Sequence, residues 1–422
     1  MSRQTIAEKI LSRAAGRSVR AGEIAICTPD LAMGTDGSIP MALDYLAAMQ
    51  PGRAPTPRHP ARLAFALDHY GPSSGPKAAA LQARARDFAR AHGVALHEVG
   101  AGIGHQLLIE LGQALPGRLL VGADSHSTSY GALNAFGTGI GSSDLAGIML
   151  AGQIWLKVPA TLRVVLHGRL PDEASAKDLA LALSRRLGQD GANYRAMEFA
   201  GPGVAALDMD DRIVLANMAV EIGAKAGIFP FDVVTDAYLS GRARAGFEPV
   251  EADPGADYSE TVAIDLAGIA PQLALPHRVD NVVDLAAAPA MPVDMVYLGT
   301  CTGGRVKDYE EALEVLRAGG RVAPGVRLVV TPASEAIRAE LERSGMLAEF
   351  VALGAEIQPP GCGACCGTAG SIPADGMRVL STANRNFKGR MGNPSASIFL
   401  ASPRACAVAA VSGSFGGGGA AP

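Results

Sequence analysis

The sequence predicts an α/β fold in which largely parallel sheets are covered by helices. Four apolar, strand-like runs end abruptly in polar clusters. Residues 63–67 lead into Asp68-His69, 119–122 into Asp124-Ser125-His126, 295–298 into Gly299-Thr300-Cys301, and 379–380 into the stretch from Ser381 to Asn386. Helical patterns fall between such runs, at 78–92 stopped by Gly93 and at 308–316 stopped by Gly319-Gly320. Strands alternating with helices argue parallel sheets in α/β layers. In such sheets ligands gather at the carboxyl ends of strands, where all four clusters lie.

Composition bounds the rest. A chain of 422 residues is long enough for two or three domains with ample core. Charged residues make up 18% and hydrophobic ones 48%, with 51 glycines and 27 prolines, which fits a compact, loop-rich soluble enzyme. Seams near Pro159 and at 286–292 suggest three segments, 1–160, 161–288 and 289–415, followed by a flexible glycine/alanine tail at 416–422. No internal repeat is evident. A net charge of −4 without a basic stripe argues against nucleic acid. The sequence contains no apolar run of membrane-spanning length, and its first 20 residues lack the core of a signal peptide, so a cytoplasmic protein is expected.

Taken in order, Thr5 and Glu8 form a capping box that opens a first helix through Leu11. Cys27 ends an apolar strand-like run and reads as a buried small hydrophobe. Six unevenly spaced cysteines do not look like a disulfide framework. Three of them crowd into Gly361-Cys362-Gly363-Ala364-Cys365-Cys366, and Cys301 stands 61 positions upstream in a similar glycine-rich turn. A C-x-x-C pair on such a loop admits half a zinc knuckle, a redox dithiol or a cluster-binding pair. Zinc lacks a second short-spaced pair here, and a dithiol leaves Cys301 without a role. Three thiolates suit a cubane cluster, with Cys366 a spare thiol and Cys406 a core residue.

Among eight histidines, His69, His105 and His126 sit beside carboxylates or glycine turns. A carboxylate fixes an imidazole's tautomer and supports its charged form, as acid–base work requires. His59, His92, His97, His167 and His277 lack such company and read as surface or loop residues. Arg385 and Arg390 flank one turn and can clamp carboxylates in bidentate fashion. A small-residue helix at 217–224 carries one glutamate, Glu221, among apolar neighbours, and a buried glutamate needs a partner such as a histidine.

As a set, these motifs resemble the aconitase superfamily, and within it the large subunits of the isopropylmalate dehydratase and homoaconitase group. The resemblance runs from Thr5 to about Gly413 and rests on 122–127, the Cys301 loop, 361–365 and 384–390. It implies three α/β/α-type domains around a central iron–sulfur cluster, without the family's swivelling fourth domain. Cys301, Cys362 and Cys365 would hold a [4Fe–4S] cluster with one iron free of protein ligands, and Asn217 and Asn384 would hydrogen-bond it. His126 would pair with Glu221 and His105 with Asp68. His69 would help protonate a departing hydroxyl, Asp124 would lie beside the open iron, and Ser125, Arg385, Arg390 and Thr35 would contact substrate. A separate small subunit would supply the swivelling domain and a serine base. Gly303 departs from the family's usual asparagine. The implied activity is a hydro-lyase of 3-isopropylmalate type, in leucine biosynthesis. Homoaconitate, citramalate, dimethylmalate or maleate are alternatives, and a cluster-bearing RNA-binding regulator is a remote one.

Overall fold

The computed structural model describes residues 3–72 and 75–417, so the tail beyond 417 lies outside the described residues. The chain folds as two compact units. One comprises Met1–Glu98, Gly104–Gly168 and Asp190–Ile264; the other comprises Val99–Ile103, Arg169–Gln189 and Asp265–Pro422. These units do not coincide with the three expected segments: the sheets at 31–139 and 161–265 share one unit, while 169–189 and the strands Gln272–Ala274 and Val282–Asp284 fall in the other. The 3-10 helix Ser125–Leu133 explains why the two sheets share a unit. It packs against the helix Met209–Met218, Gly131 accepts the Phe229 N–H at 2.9 Å, and the Asn134 side chain donates to the Phe229 carbonyl at 3.0 Å. The seam near Pro159 is therefore stitched by buried hydrogen bonds and is no linker.

In the first unit a five-stranded sheet runs in the order Ala95–His97, Leu63–Ala66, Leu31–Thr35, Leu119–Gly122, Phe136–Gly139, and every pairing is parallel. Ranked by position in the sequence, the order is 3-2-1-4-5. Its direction reverses between Leu31–Thr35 and Leu119–Gly122, so the crevice for a ligand opens beyond Thr35 and Gly122. A four-stranded sheet in the same unit places Ala226–Ile228, Ala196–Ala200 and Thr161–His167 side by side in parallel, with Glu260–Asp265 at the edge.

The second unit repeats the first plan. A parallel core runs Ser397–Leu400, Arg378–Ser381, Met295–Gly299, Arg327–Thr331, Ala355–Ile357, again 5-4-1-2-3 by sequence rank, with two short antiparallel strands added at one edge. Here the reversal lies between Met295–Gly299 and Arg378–Ser381. The crevice therefore opens onto Thr300-Cys301 and Thr382-Ala383-Asn384. No repeat is visible in the sequence; the repeat is one of topology.

Local expectations mostly hold. Thr5 and Glu8 cap the helix Ile6–Ala15, and Gly93 ends Pro76–His92 in the left-handed region at φ 69°. Cys27 and Cys406 are fully buried. The helix expected to open at Asp308 begins two residues earlier, at Val306, because Asp308 is the residue that reaches back to cap the Arg305 N–H at 2.9 Å. The helix expected at 217–224 ends at Met218 and continues as a 3-10 turn, Ala219–Ile222, that carries Glu221. His97 is half-buried at a strand end and does not sit on the surface.

One buried carboxyl gives the first unit a pH signature. Glu198 is 2% exposed and accepts from the Ala7 N–H at 2.9 Å and the Tyr258 hydroxyl at 3.2 Å, yet burial pushes its carboxyl up to about 7. The folded state therefore binds a proton that the unfolded chain has released, and stability falls as pH rises from about 4.5 to 7. Glu198→Gln keeps the shape without the titration. Its melting temperature relative to wild type is expected to rise across that window, and parallel curves for the two proteins would refute the assignment.

Candidate active site

The first unit carries a network of carboxylates and imidazoles at its switch point. Asp68, just past the strand Leu63–Ala66, is turned inside. One of its oxygens accepts the Gly104 N–H at 2.8 Å and the other lies 2.7 Å from His69 Nδ1. That contact holds the proton on Nδ1 and turns His69 Nε2 toward Asp124, 3.5 Å away. Beneath this turn, fully buried Asp36 accepts the N–H groups of His69 (3.0 Å) and Tyr70 (3.1 Å) and the amide of Gln82 (3.0 Å). Burial, and then the charge of Asp68, push its carboxyl up.

Asp124 is the hub. It caps the 3-10 helix through the His126 N–H at 2.7 Å, and its oxygens lie 3.5, 3.6 and 3.8 Å from ring nitrogens of His69, His105 and His126. Burial alone would raise its carboxyl, but the three imidazoles and the His126 amide hold it well below the usual carboxylate range. His126 Nε2 meets Glu221 Oε1 at 2.8 Å, as its sequence context implied, and Ser125 Oγ is 3.4 Å from His126 Nδ1. Ser125 and Asp124 also border a cavity of about 650 Å³ that runs to Trp155 and Tyr194.

His105 corrects one expected pair. Both oxygens of Asp68 already accept, from His69 and Gly104, and the carboxylate oxygen 3.6 Å from His105 Nδ1 belongs to Asp124. Neither His105 ring nitrogen has a hydrogen-bond partner among the described residues, and the side chain is 2% exposed. Burial, opposed by Asp124, lowers the imidazole to about 4. His105 is therefore a neutral ring at physiological pH. Thr35 is also enclosed, its hydroxyl 3.2 Å from Ser38 Oγ in the turn after its strand. Asn217 donates to Ser129 Oγ at 2.9 Å.

The second unit carries the thiols, at its own switch point. Cys301 follows Thr300, whose φ of 74° is a rare conformation for a β-branched residue. Contacts to Thr302 hold it there, through the Thr302 N–H and hydroxyl, each at 3.2 Å. Cys365 lies on a short 3-10 turn, Gly363–Cys366, and Cys362 immediately precedes it. Gly363 has φ 55°, and a Cβ there would stand 2.4 Å from the Tyr297 hydroxyl, so the turn needs glycine twice over. Asn384 donates to Cys301 Sγ at 3.2 Å, while its carbonyl end is 3.7 Å from Cys365 Sγ. Arg390 Nη2 is 3.5 Å from Cys365 Sγ, and Arg390 Nε is buried without a hydrogen-bond partner among the described residues. Arg385 is half-buried on the same turn. Cys366 faces Thr368 Oγ1 at 2.9 Å and the Gly363 carbonyl at 3.4 Å.

The donors of this unit fit an iron–sulfur cluster. Three soft thiol donors come from two turns, one amide spans Cys301 and Cys365, and a buried guanidinium nitrogen awaits an acceptor. Gly303 departs from the family's asparagine for a local reason: a Cβ at 303 would lie 2.3 Å from Thr382 Cβ. Sequence reasoning missed Lys177, a fully buried lysine of this unit, because nothing in its context distinguishes it from a solvated one.

Thiols on one switch point and an acid–base network on another define an iron–sulfur enzyme of the α/β class. The aconitase family (aconitate hydratase) matches residues 8–292 and 286–413, and the chain belongs to that family and is a hydro-lyase. It is 44% identical to the 3-isopropylmalate dehydratase large subunit 1 of Thermotoga maritima, over 97% of both chains. It is 45% identical to the homoaconitase large subunit of Thermus thermophilus, over 97% of this chain and 96% of that one. Aconitase X of Thermococcus kodakaraensis shares the fold, with a TM-score of 0.50 and 15% identity, over 85% of this chain and 84% of that one. Among the described residues no helix is long and apolar enough to cross a membrane.

Proposed function

We propose that this chain is the large subunit of a [4Fe–4S] hydro-lyase that interconverts 3-isopropylmalate and 2-isopropylmalate by dehydration and rehydration. The observation that carries the reading is Asp124, an ionised carboxylate with three imidazoles within 3.8 Å of it. Elimination of water from a hydroxy acid needs help at both ends, because hydroxide leaves poorly and the carbon-bound proton is weakly acidic.

Cys301, Cys362 and Cys365 would hold the cluster, with the Asn384 amide donating to the Cys301 sulfur it already reaches. Bound there, the cluster supplies Lewis acidity at an iron without a protein ligand, toward a hydroxyl and its neighbouring carboxylate. His69 is suited to give the departing hydroxyl a proton from Nε2, with Asp68 anchoring the opposite nitrogen. Glu221 keeps His126 oriented, and neutral His105 can donate a hydrogen bond from one ring nitrogen and accept one at the other. Arg385 and Arg390 are placed on one turn to clamp substrate carboxylates in bidentate fashion.

The relatives are named as large subunits, so a small subunit is part of this reading. It would bring the swivelling domain and the serine that takes the carbon-bound proton. Homoaconitate is the second reading, since the homoaconitase relative is as similar as the isopropylmalate one. The chain and its small subunit, prepared anaerobically, should turn over 3-isopropylmalate faster than homoaconitate, and the large chain alone should turn over neither. Preference for homoaconitate would select the second reading. Full activity without the small subunit would overturn the two-subunit assignment.

A further inference from the structure

Lys177 is the second residue of the helix Ala176–Leu187, which Ser175 caps together with Asp178. Such a position is normally solvated, yet this side chain is 1% exposed. Its ammonium donates to Thr302 Oγ1 at 3.2 Å, to the Thr382 carbonyl at 2.9 Å and to the Ala383 carbonyl at 2.5 Å. An ammonium has three protons, and these acceptors come from the two turns that form the thiol-bearing switch point.

The neighbours of those acceptors give the contacts their meaning. Thr302 directly follows Cys301, and its hydroxyl also donates to the Thr382 carbonyl at 2.8 Å. Thr382 and Ala383 directly precede Asn384, whose amide reaches Cys301 Sγ. Lys177 thus ties the Cys301 turn to the Asn384 turn from beneath. It also sets a buried positive charge next to sulfurs that carry negative charge as ligands. Burial lowers the ammonium to about 8, opposed by the charges of Cys301 and Cys365 among others, so it remains charged at neutral pH.

We propose that Lys177 is a positioning residue for the iron–sulfur site: it locks the Cys301 and Asn384 turns together and supplies the buried cation that offsets thiolate charge. This rests on the cluster reading above. Cluster retention and reduction potential should then depend on Lys177, whereas substrate affinity should not. Metal sites lose roughly 10- to 100-fold in affinity when an outer partner is removed, and a nearby cation favours the more negative, reduced state of a cluster.

The test uses the full chain, reconstituted anaerobically with iron and sulfide, as wild type, Lys177→Met and Lys177→Arg. Iron and sulfide content, the rate of bleaching by a chelator, the midpoint potential and the melting temperature are measured on each. Lys177→Met is expected to bleach about tenfold faster or more and to show a more negative potential. Lys177→Arg keeps the charge and should hold the potential closer to wild type while bleaching at an intermediate rate. Wild-type bleaching and potential in Lys177→Met would overturn the proposal. Wild-type protein that takes up no iron and sulfide would instead overturn the cluster reading beneath it. Where Lys177→Met does not fold, Lys177→Gln decides, since its amide keeps donors for the Thr382 and Ala383 carbonyls and removes the charge. A more negative potential supports the buried cation, and wild-type bleaching and potential refute the proposal.

Discussion

Cys301→Ser is expected to leave a folded chain that binds no intact cluster and has lost more than about 100-fold of its turnover, beyond the usual cost of losing only an outer partner of a metal ligand. Serine is close in size to cysteine, and Cys301 is 5% exposed, so packing around the turn should survive. What goes is the soft thiolate, and with it the sulfur that Asn384 reaches at 3.2 Å. Cys366→Ser is the internal control. Cys366 sits one residue beyond Cys365, but its sulfur contacts Thr368 Oγ1 and the Gly363 carbonyl, and a serine hydroxyl can make both bonds. Iron, sulfide and visible absorbance after anaerobic reconstitution read the difference directly. Equal loss in the two variants would mean that the three ligands are wrongly chosen. A Cys301→Ser chain with full iron and sulfide would mean that Cys301 is not a ligand at all.

Much of this site was legible because buried parallel strands read as continuous apolar runs and stop where the chemistry starts. Each of the four runs became a central strand, and each polar cluster a strand end. Glu221 was legible for a different reason: a carboxylate among apolar neighbours must find a partner, and His126 is that partner. Other features depend on which atoms meet in three dimensions. Asp68 meets His69 and the Gly104 N–H, a pairing that only the folded geometry decides. The shared 5-4-1-2-3 order of the two parallel sheets left no trace in residue identities, since strand order is set by connections and not by side chains. Lys177 was invisible because its helix start looks like any capped, solvated turn, and only the packing of that turn against Thr302 and Thr382 buries it. The seam near Pro159 is not a unit boundary for a similar reason: the Asn134 and Gly131 hydrogen bonds tie the first two sheets into one unit.

Asp124→Asn separates charge from shape at the hub of the acid–base network. The amide keeps an oxygen for the His126 N–H, which the carboxylate accepts at 2.7 Å, so the start of the 3-10 helix should stay capped. The anion that three imidazoles face is gone. If Asp124 organises proton transfer, kcat is expected to fall by about 10² to 10⁴, the range for losing a positioned acid–base element. The direction of the pH effects follows from the sign of the charge. An anion beside an imidazole favours the imidazolium, so any limb of the pH–rate profile owed to those rings should move to lower pH in the variant. Stability should behave differently. The Asp124 carboxyl is held below its ordinary value in the folded chain, so its contribution is complete above about pH 4 and is lost as pH falls further. The variant should therefore melt below wild type at pH 7, with the gap closing under acid conditions. A variant with normal kcat and an unmoved pH profile would reduce Asp124 to a helix cap. A variant whose stability gap is the same at pH 3 and pH 7 would show that its carboxyl was never held ionised by the three histidines.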